Sequence, residues 1–170
     1  MVEKAPRRNI IAVIGGRQAR KDMLKAAEQA GALIALSGSV LLCGGLGGIM
    51  RAAAKGAKRA GGTTVGILPQ DSKKSANEYI DVPVATGMGM GRNVIIARTA
   101  DAVIAVSGEY GTLSEIAFSL QLGKPVVGIG TWDIDGVVEA EGADDAVRKA
   151  LTLLGQPPPE ETPPELWDIV

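Results

Sequence analysis

Short uninterrupted apolar runs alternate along this chain with longer stretches whose apolar positions recur at helical spacing. The first run, Asn-Ile-Ile-Ala-Val-Ile at 9–14, is stopped by Gly15 and Gly16. Helical spacing follows over 21–36, with Leu24, Ala27, Leu33 and Leu36 among its apolar positions and Gly38 as a C-terminal stop. The pattern then predicts a strand over 40–43, a helix over 49–60 and a strand over 63–68. Residues 69–79 read as a polar loop, 81–85 as a short strand, 86–91 as a glycine loop and 92–100 as a helix. A strand at 101–106, a helix at 112–122 and a last strand at 125–129 come next. Residues 144–154 read as a short helix with acids first and bases later, as the helix dipole prefers.

None of these strands alternates apolar with polar residues, which is how parallel strands covered on both faces read. The predicted fold is therefore α/β: a single Rossmann-like doubly wound domain, its sheet mostly parallel, with helices on both faces. Such sheets bind ligands beyond the carboxyl ends of their strands. The glycine turns at 15–16, 44–48, 87–91 and 108–111 all follow strands, so they are expected to gather at that edge.

The domain is expected to span 8–155. Residues 156–170 form a tail that holds five of the nine prolines and reads as an extended segment. Trp167 is expected to pin its end to the body or to a neighbouring subunit. A formal net charge of −1 and 3% aromatic residues offer neither the basic excess nor the stacking platforms of a nucleic-acid binder. Histidine is absent, which removes His triads, His metal sites and His general bases. The single Cys43 allows no intramolecular disulfide and reads as a small buried filler; no metal site is expected. No apolar run approaches the ~18 residues of a membrane span, and the N-terminus lacks the apolar core of a signal peptide. A cytoplasmic protein is the expectation.

Candidate chemistry lies in the glycine turns. Ser-Gly-Glu-Tyr-Gly-Thr-Leu-Ser-Glu at 107–115 joins a strand to a helix. The unpaired N–H groups and positive dipole end of such a helix attract an anion, so Gly108, Gly111 and Thr112 are candidate phosphate contacts. Glu115 would stand beside that anion as an acid/base group. It also completes a capping box with Thr112, a role without chemistry. Gly44, Gly45, Gly47 and Gly48 form a second strand-to-helix turn, either a phosphate cradle or a tight connection. It is neither a P-loop nor GxGxxG. Gly15 and Gly16 end the first strand in the same way. Arg92 follows the third glycine loop and could clamp phosphate with its fork of donors, or be a surface arginine with Asn93 capping the helix. Asp101, Asp133 and Asp135 read as solvated loop carboxylates. Arg51, Lys55, Lys58 and Arg59 read as a solvated helix face, and Asn77 as a turn former.

Several runs stand together in order: Cys-Gly-Gly-Leu-Gly-Gly-Ile-Met (43–50), Ala-Lys-Gly-Ala-Lys-Arg-Ala-Gly-Gly (54–62), Gly-Ile-Leu-Pro (66–69), Arg-Asn (92–93), Tyr-Gly-Thr-Leu-Ser-Glu-Ile-Ala (110–117) and Leu-Gly-Lys-Pro-Val-Val-Gly (122–128). Over residues 8 to 132 the chain resembles the molybdenum cofactor carrier protein family, within the superfamily of the LOG-type phosphoribohydrolases. The resemblance implies a Rossmann-like fold, a phosphorylated small-molecule ligand (a nucleotide or a molybdenum cofactor-like pterin) and a homodimer or homotetramer. No cofactor beyond that ligand is required.

LOG-type enzymes cleave the N-glycosidic bond of nucleoside 5′-monophosphates and carry a Pro-Gly-Gly-x-Gly-Thr-x-x-Glu motif. Its glutamate falls on Glu115 and its Gly-Thr on Gly111-Thr112; a motif arginine falls on Arg92. If the chain is an enzyme, Glu115 and Arg92 are its catalytic candidates, the carboxylate stabilising an oxocarbenium-like centre or activating water. Two departures favour binding over hydrolysis: Ser107-Gly108-Glu109 replaces Pro-Gly-Gly, and the paired basic segment of the enzymes is missing after Arg92. Relatives of this kind often carry a lysine decarboxylase label. Pyridoxal phosphate chemistry needs a Schiff-base lysine in a cofactor pocket, and no lysine here stands out in that role.

Overall fold

The computed structural model describes residues 6–158. Seven strands form one sheet in the order β4-β3-β2-β1-β5-β6-β7, and every neighbouring pair is parallel. They are β1 (Ile10–Ile14), β2 (Val40–Cys43), β3 (Thr64–Leu68), β4 (Val82–Ala85), β5 (Ala102–Val106), β6 (Val126–Ile129) and β7 (Val137–Glu139). The helices are α1 (Lys21–Leu36), α2 (Ile49–Arg59), α3 (Arg92–Thr99), α4 (Tyr110–Gln121) and α5 (Ala143–Leu153). The chain thus adopts the expected single Rossmann-like α/β domain.

The apolar runs are explained by what covers each face. Ile11 and Val13 of β1 pack with Ile104 and Val106 of β5 beneath α1, α2 and α5. The intervening Ala12 and Ile14 point the other way, into a second cluster with Val103, Ala105, Ile96 of α3 and Ile116 of α4. Both sets are buried, so no polar residue can alternate in.

The structure refines several expectations. Edge strand β7 adds to the predicted set; Val138 and Glu139 are exposed, so its run lacks the buried signature of the inner strands. Leu36, one of the apolar positions that gave α1 its helical spacing, is exposed. A short 3-10 turn, Lys73–Ser75, interrupts the polar loop, and another, Gly89–Gly91, leads into α3. Asp101 is not merely a solvated loop carboxylate: its Oδ2 accepts the Ile10 backbone N–H at 2.8 Å and holds the start of β1. The basic face of α2 is paired, Arg51 with Glu78, Lys55 and Arg59 with Glu28, and Lys58 with Asp81. Of the tail, residues 159–170, including Trp167, lie outside the described residues. Among the described residues no helix is long and apolar enough to cross a membrane.

Candidate functional site

The strand order reverses direction at β1, whose neighbours are β2 on one side and β5 on the other. The loops leaving β1 and β5 depart to opposite faces of the sheet and open a crevice between them, the usual ligand position in such folds. A cavity of about 370 Å³ lies there. The candidate residues Gly15, Gly16, Gly44, Arg92, Asn93, Gly111, Thr112 and Glu115 all line it, joined by Arg17, Met50, Pro69, Met90 and Glu109 among others.

The wall is built from the turns inward. Gly48 has a φ of 62°, and a Cβ there would strike the Gly16 carbonyl and the Arg17 backbone. This glycine lets the β2–α2 and β1–α1 turns lie backbone to backbone, and the Ile49 N–H donates to the Gly16 carbonyl at 3.1 Å. Gly44 does a different job. A Cβ on it would occupy the space of the Arg92 guanidinium, so its bareness makes room for that side chain.

Arg92 opens α3 and is only 8% exposed. Its Nη1 donates to the Ile67 carbonyl at the end of β3 at 2.5 Å. Its buried Nε has no hydrogen-bond partner among the described residues. Burial lowers its proton affinity, the Glu115 carboxylate counteracts this, and Arg17 adds a smaller repulsion; an arginine nonetheless keeps its charge. A largely buried cation on a cavity wall, with its hydrogen-bonding capacity not filled by the protein, is poised for an anion.

Glu115 is 7% exposed, and its carboxylate has no hydrogen bond or ion pair among the described residues, although its backbone carbonyl accepts from Ser119 Oγ at 2.7 Å. Burial drives its carboxyl up to about 7, against the opposing pull of Arg92. The capping-box reading is therefore corrected. Helix α4 begins at Tyr110 with Glu109 as N-cap, so Thr112 lies inside the helix and Glu115 a full turn too deep to reach back. Thr112 is 2% exposed and packs on Gly108 instead. No side chain caps α4, so its first N–H groups, on the segment that supplies Gly111 and Thr112 to the wall, stay open to a ligand.

Asn93 is not a cap either. Its Nδ2 donates across to Ser114 Oγ at 3.0 Å and to the Gly111 carbonyl at 3.4 Å, fixing α3 against α4. Gly45, Gly47, Gly48 and Gly108 lie off the cavity wall. Asn77 holds the β2–α2 turn of the first three, with Nδ2 donating to the Leu46 carbonyl and its backbone N–H to the Gly45 carbonyl, both at 2.9 Å. Cys43 is fully buried, and burial pushes its thiol up to about 11, as suits an inert filler.

Arg17 escaped the sequence reading although the signal was present: a basic residue just after a glycine turn at a strand end, the same pattern that marks Arg92. Ser107 has a φ of 53°, a value proline cannot adopt. The turn therefore differs in shape, as well as composition, from one that begins with Pro-Gly-Gly.

A doubly wound parallel domain with a buried arginine and carboxylate at its switch-point crevice defines a Rossmann-like ligand-binding class. Within that class, the chain belongs to the SLOG cluster4 family, whose model matches residues 8–155. An uncharacterised protein of Archaeoglobus fulgidus is 49% identical over 143 residues, covering 84% of this chain and 94% of the relative. The cytokinin riboside 5′-monophosphate phosphoribohydrolase of Mycobacterium tuberculosis is 32% identical; the match spans 65% of this chain and 64% of that enzyme. Among solved structures, the molybdenum cofactor binding protein of Rippkaea orientalis superposes with a TM-score of 0.83 at 37% identity, over 87% of this chain and 98% of the other. The molybdenum cofactor carrier protein of Chlamydomonas reinhardtii gives 0.79 at 35%, over 88% and 100%.

Proposed function

We propose that this protein binds a phosphorylated small molecule, a nucleotide or a molybdenum cofactor-like pterin, in the cavity at the β1/β5 crevice. The observation that carries the reading is Arg92, buried, cationic and with an unused Nε, beside the uncapped start of α4. Together they supply a guanidinium and open backbone N–H groups to one phosphate. A volume of about 370 Å³ suits a ligand of nucleotide or pterin size. The similarity to cofactor-binding and carrier proteins over nearly their full length supports the same reading.

A second reading, a LOG-type nucleoside monophosphate glycosidase, draws on one specific observation. Glu115 is freed from any capping duty, faces the cavity and titrates near 7, which suits a group that must gain or lose a proton at neutral pH. Against it stand Glu109 and the turn at Ser107.

A panel of nucleoside 5′-monophosphates, followed for thermal stabilisation and for release of free base, separates the readings. Stabilisation without release is expected for a carrier. Release that disappears in Glu115→Gln would establish the glycosidase. Neither effect, with inorganic phosphate also inert, would contradict both.

A further inference from the structure

Two arginines and two glutamates line the cavity, Arg17, Arg92, Glu109 and Glu115, and no other described residue of its wall carries an ionisable side chain. With all four ionised the wall has no net charge, which makes it a poor host for a dianion. The arginines keep their charge. Glu109 is exposed at the start of α4, where water and salt screen it. Glu115 is placed differently. It stands just over one helical turn into α4, 7% exposed, and its carboxylate has neither a hydrogen bond nor an ion pair among the described residues. Arg92 attracts it from α3, but donates Nη1 to the Ile67 carbonyl and forms no ion pair with it. Behind the wall, Cys43 at the end of β2 adds no charge, because burial holds its thiol up at about 11.

A phosphate group brings up to two negative charges into this space. An unpaired carboxylate on the same wall repels them, and like charges that share a buried site are relieved when one of them takes a proton. Glu115 is the group ready to do so, since burial has already brought its carboxyl to about 7. Once protonated, it leaves two cations against one anion on the wall, and its new O–H can donate to an oxygen of the ligand. Resting on the phosphate reading above, we propose that anion binding in this cavity is coupled to proton uptake by Glu115, so that the protein takes its ligand together with a proton and gives it up as pH rises. The bound state holds more protons than the free one, so affinity falls as pH climbs above about 7. The same step makes Glu115 a proton donor in the liganded site, not a base.

Titration calorimetry at about pH 8, in two buffers of different ionisation heat, counts the protons taken up per ligand bound. The probes are AMP and ribose 5-phosphate; the second has no base to lose, so turnover cannot disturb its titration. Both phosphates are already dianions at that pH and have no proton of their own to release. The wild type is expected to take up roughly half a proton or more, and its affinity to fall about fivefold per pH unit above about pH 7. Glu115→Gln cannot titrate, so its binding should show no uptake and a flat pH profile. Glu109→Gln removes the other carboxylate of the wall and should keep both effects; it carries the test if Glu115→Gln does not fold. No uptake in the wild type, uptake that persists in Glu115→Gln, or uptake lost in Glu109→Gln would overturn the coupling and leave the phosphate site standing. Failure of both probes to bind the wild type would remove the phosphate site, and this proposal with it.

Discussion

An arginine carries five N–H donors, and Arg92 places its group in a space that is only 8% exposed. The Ile67 carbonyl takes one of them. The unmet demand of Nε makes this residue the clearest functional signal in the molecule, and removal of the side chain should be felt in binding more than in folding. Arg92→Ala is expected to weaken phosphate affinity by about 10- to 100-fold, the worth of charge-assisted hydrogen bonds. Glu115 supplies a second prediction. Its carboxyl is raised from 4.5 to about 7 by burial, so the folded state binds its proton more tightly than the unfolded chain does. The stability this gives is complete below about 4.5 and is lost as pH rises through about 7. Chemical denaturation of unliganded protein should show stability falling across that window, by something on the order of 3 kcal/mol from this group. Glu115→Gln should abolish that part of the slope; an unchanged slope would place the carboxylate in water. At this scale the sequence singled out Arg92 and Glu115, which the structure sets on the cavity wall, and misread Glu115 as a partner in a capping box. Thr112 and Glu115 have capping-box spacing, but only the start of α4 two residues earlier removes that role, and nothing local in the sequence marks Glu109 as the N-cap.

Between elements, α1 packs backbone to backbone on α2, and two glycines permit it. A Cβ on Gly31 would run into the Ala53 carbonyl, and one on Gly56 into the Glu28 carbonyl. The contacts are reciprocal, each helix offering a glycine to the other's backbone, which rigid carbonyls cannot relieve. Gly31→Ala and Gly56→Ala should each cost about 1–3 kcal/mol by overpacking, read as a lower melting temperature. Gly47→Ala is the control: a Cβ there meets nothing within 4 Å, so its melting temperature should stay close to that of wild type. On the other face, Asn93→Ala should cost about 1–2 kcal/mol by removing the link from α3 to Ser114 and Gly111. Part of that loss should reappear as weaker phosphate binding, because the link positions the α4 turn against Arg92. These contacts were invisible in the sequence, where nothing marks Gly31 or Gly56 as a point of contact between helices. The elements themselves were legible for the opposite reason. β1, β2, β5 and β6 are buried on both faces, so their apolar runs are unbroken, whereas β7 is a short edge strand that lacks that signature.

For the whole molecule, topology does most of the assembling. Gly15, Gly44, Arg92 and Glu115 are scattered over a hundred residues of sequence, yet all follow carboxyl ends of parallel strands and meet at one crevice. Strand–helix alternation alone predicts that convergence. It does not predict which glycines reach the ligand: Gly45, Gly47, Gly48 and Gly108 carry the same motif signature and lie off the wall. The most direct measurement is calorimetric titration of AMP and inorganic phosphate into wild type and Arg92→Ala, both first checked for a native melting transition. Saturable one-site binding that falls at least about tenfold in the variant is the predicted result. Equal affinity in the two proteins, or no binding of either probe to the wild type, would contradict a phosphate site built on Arg92.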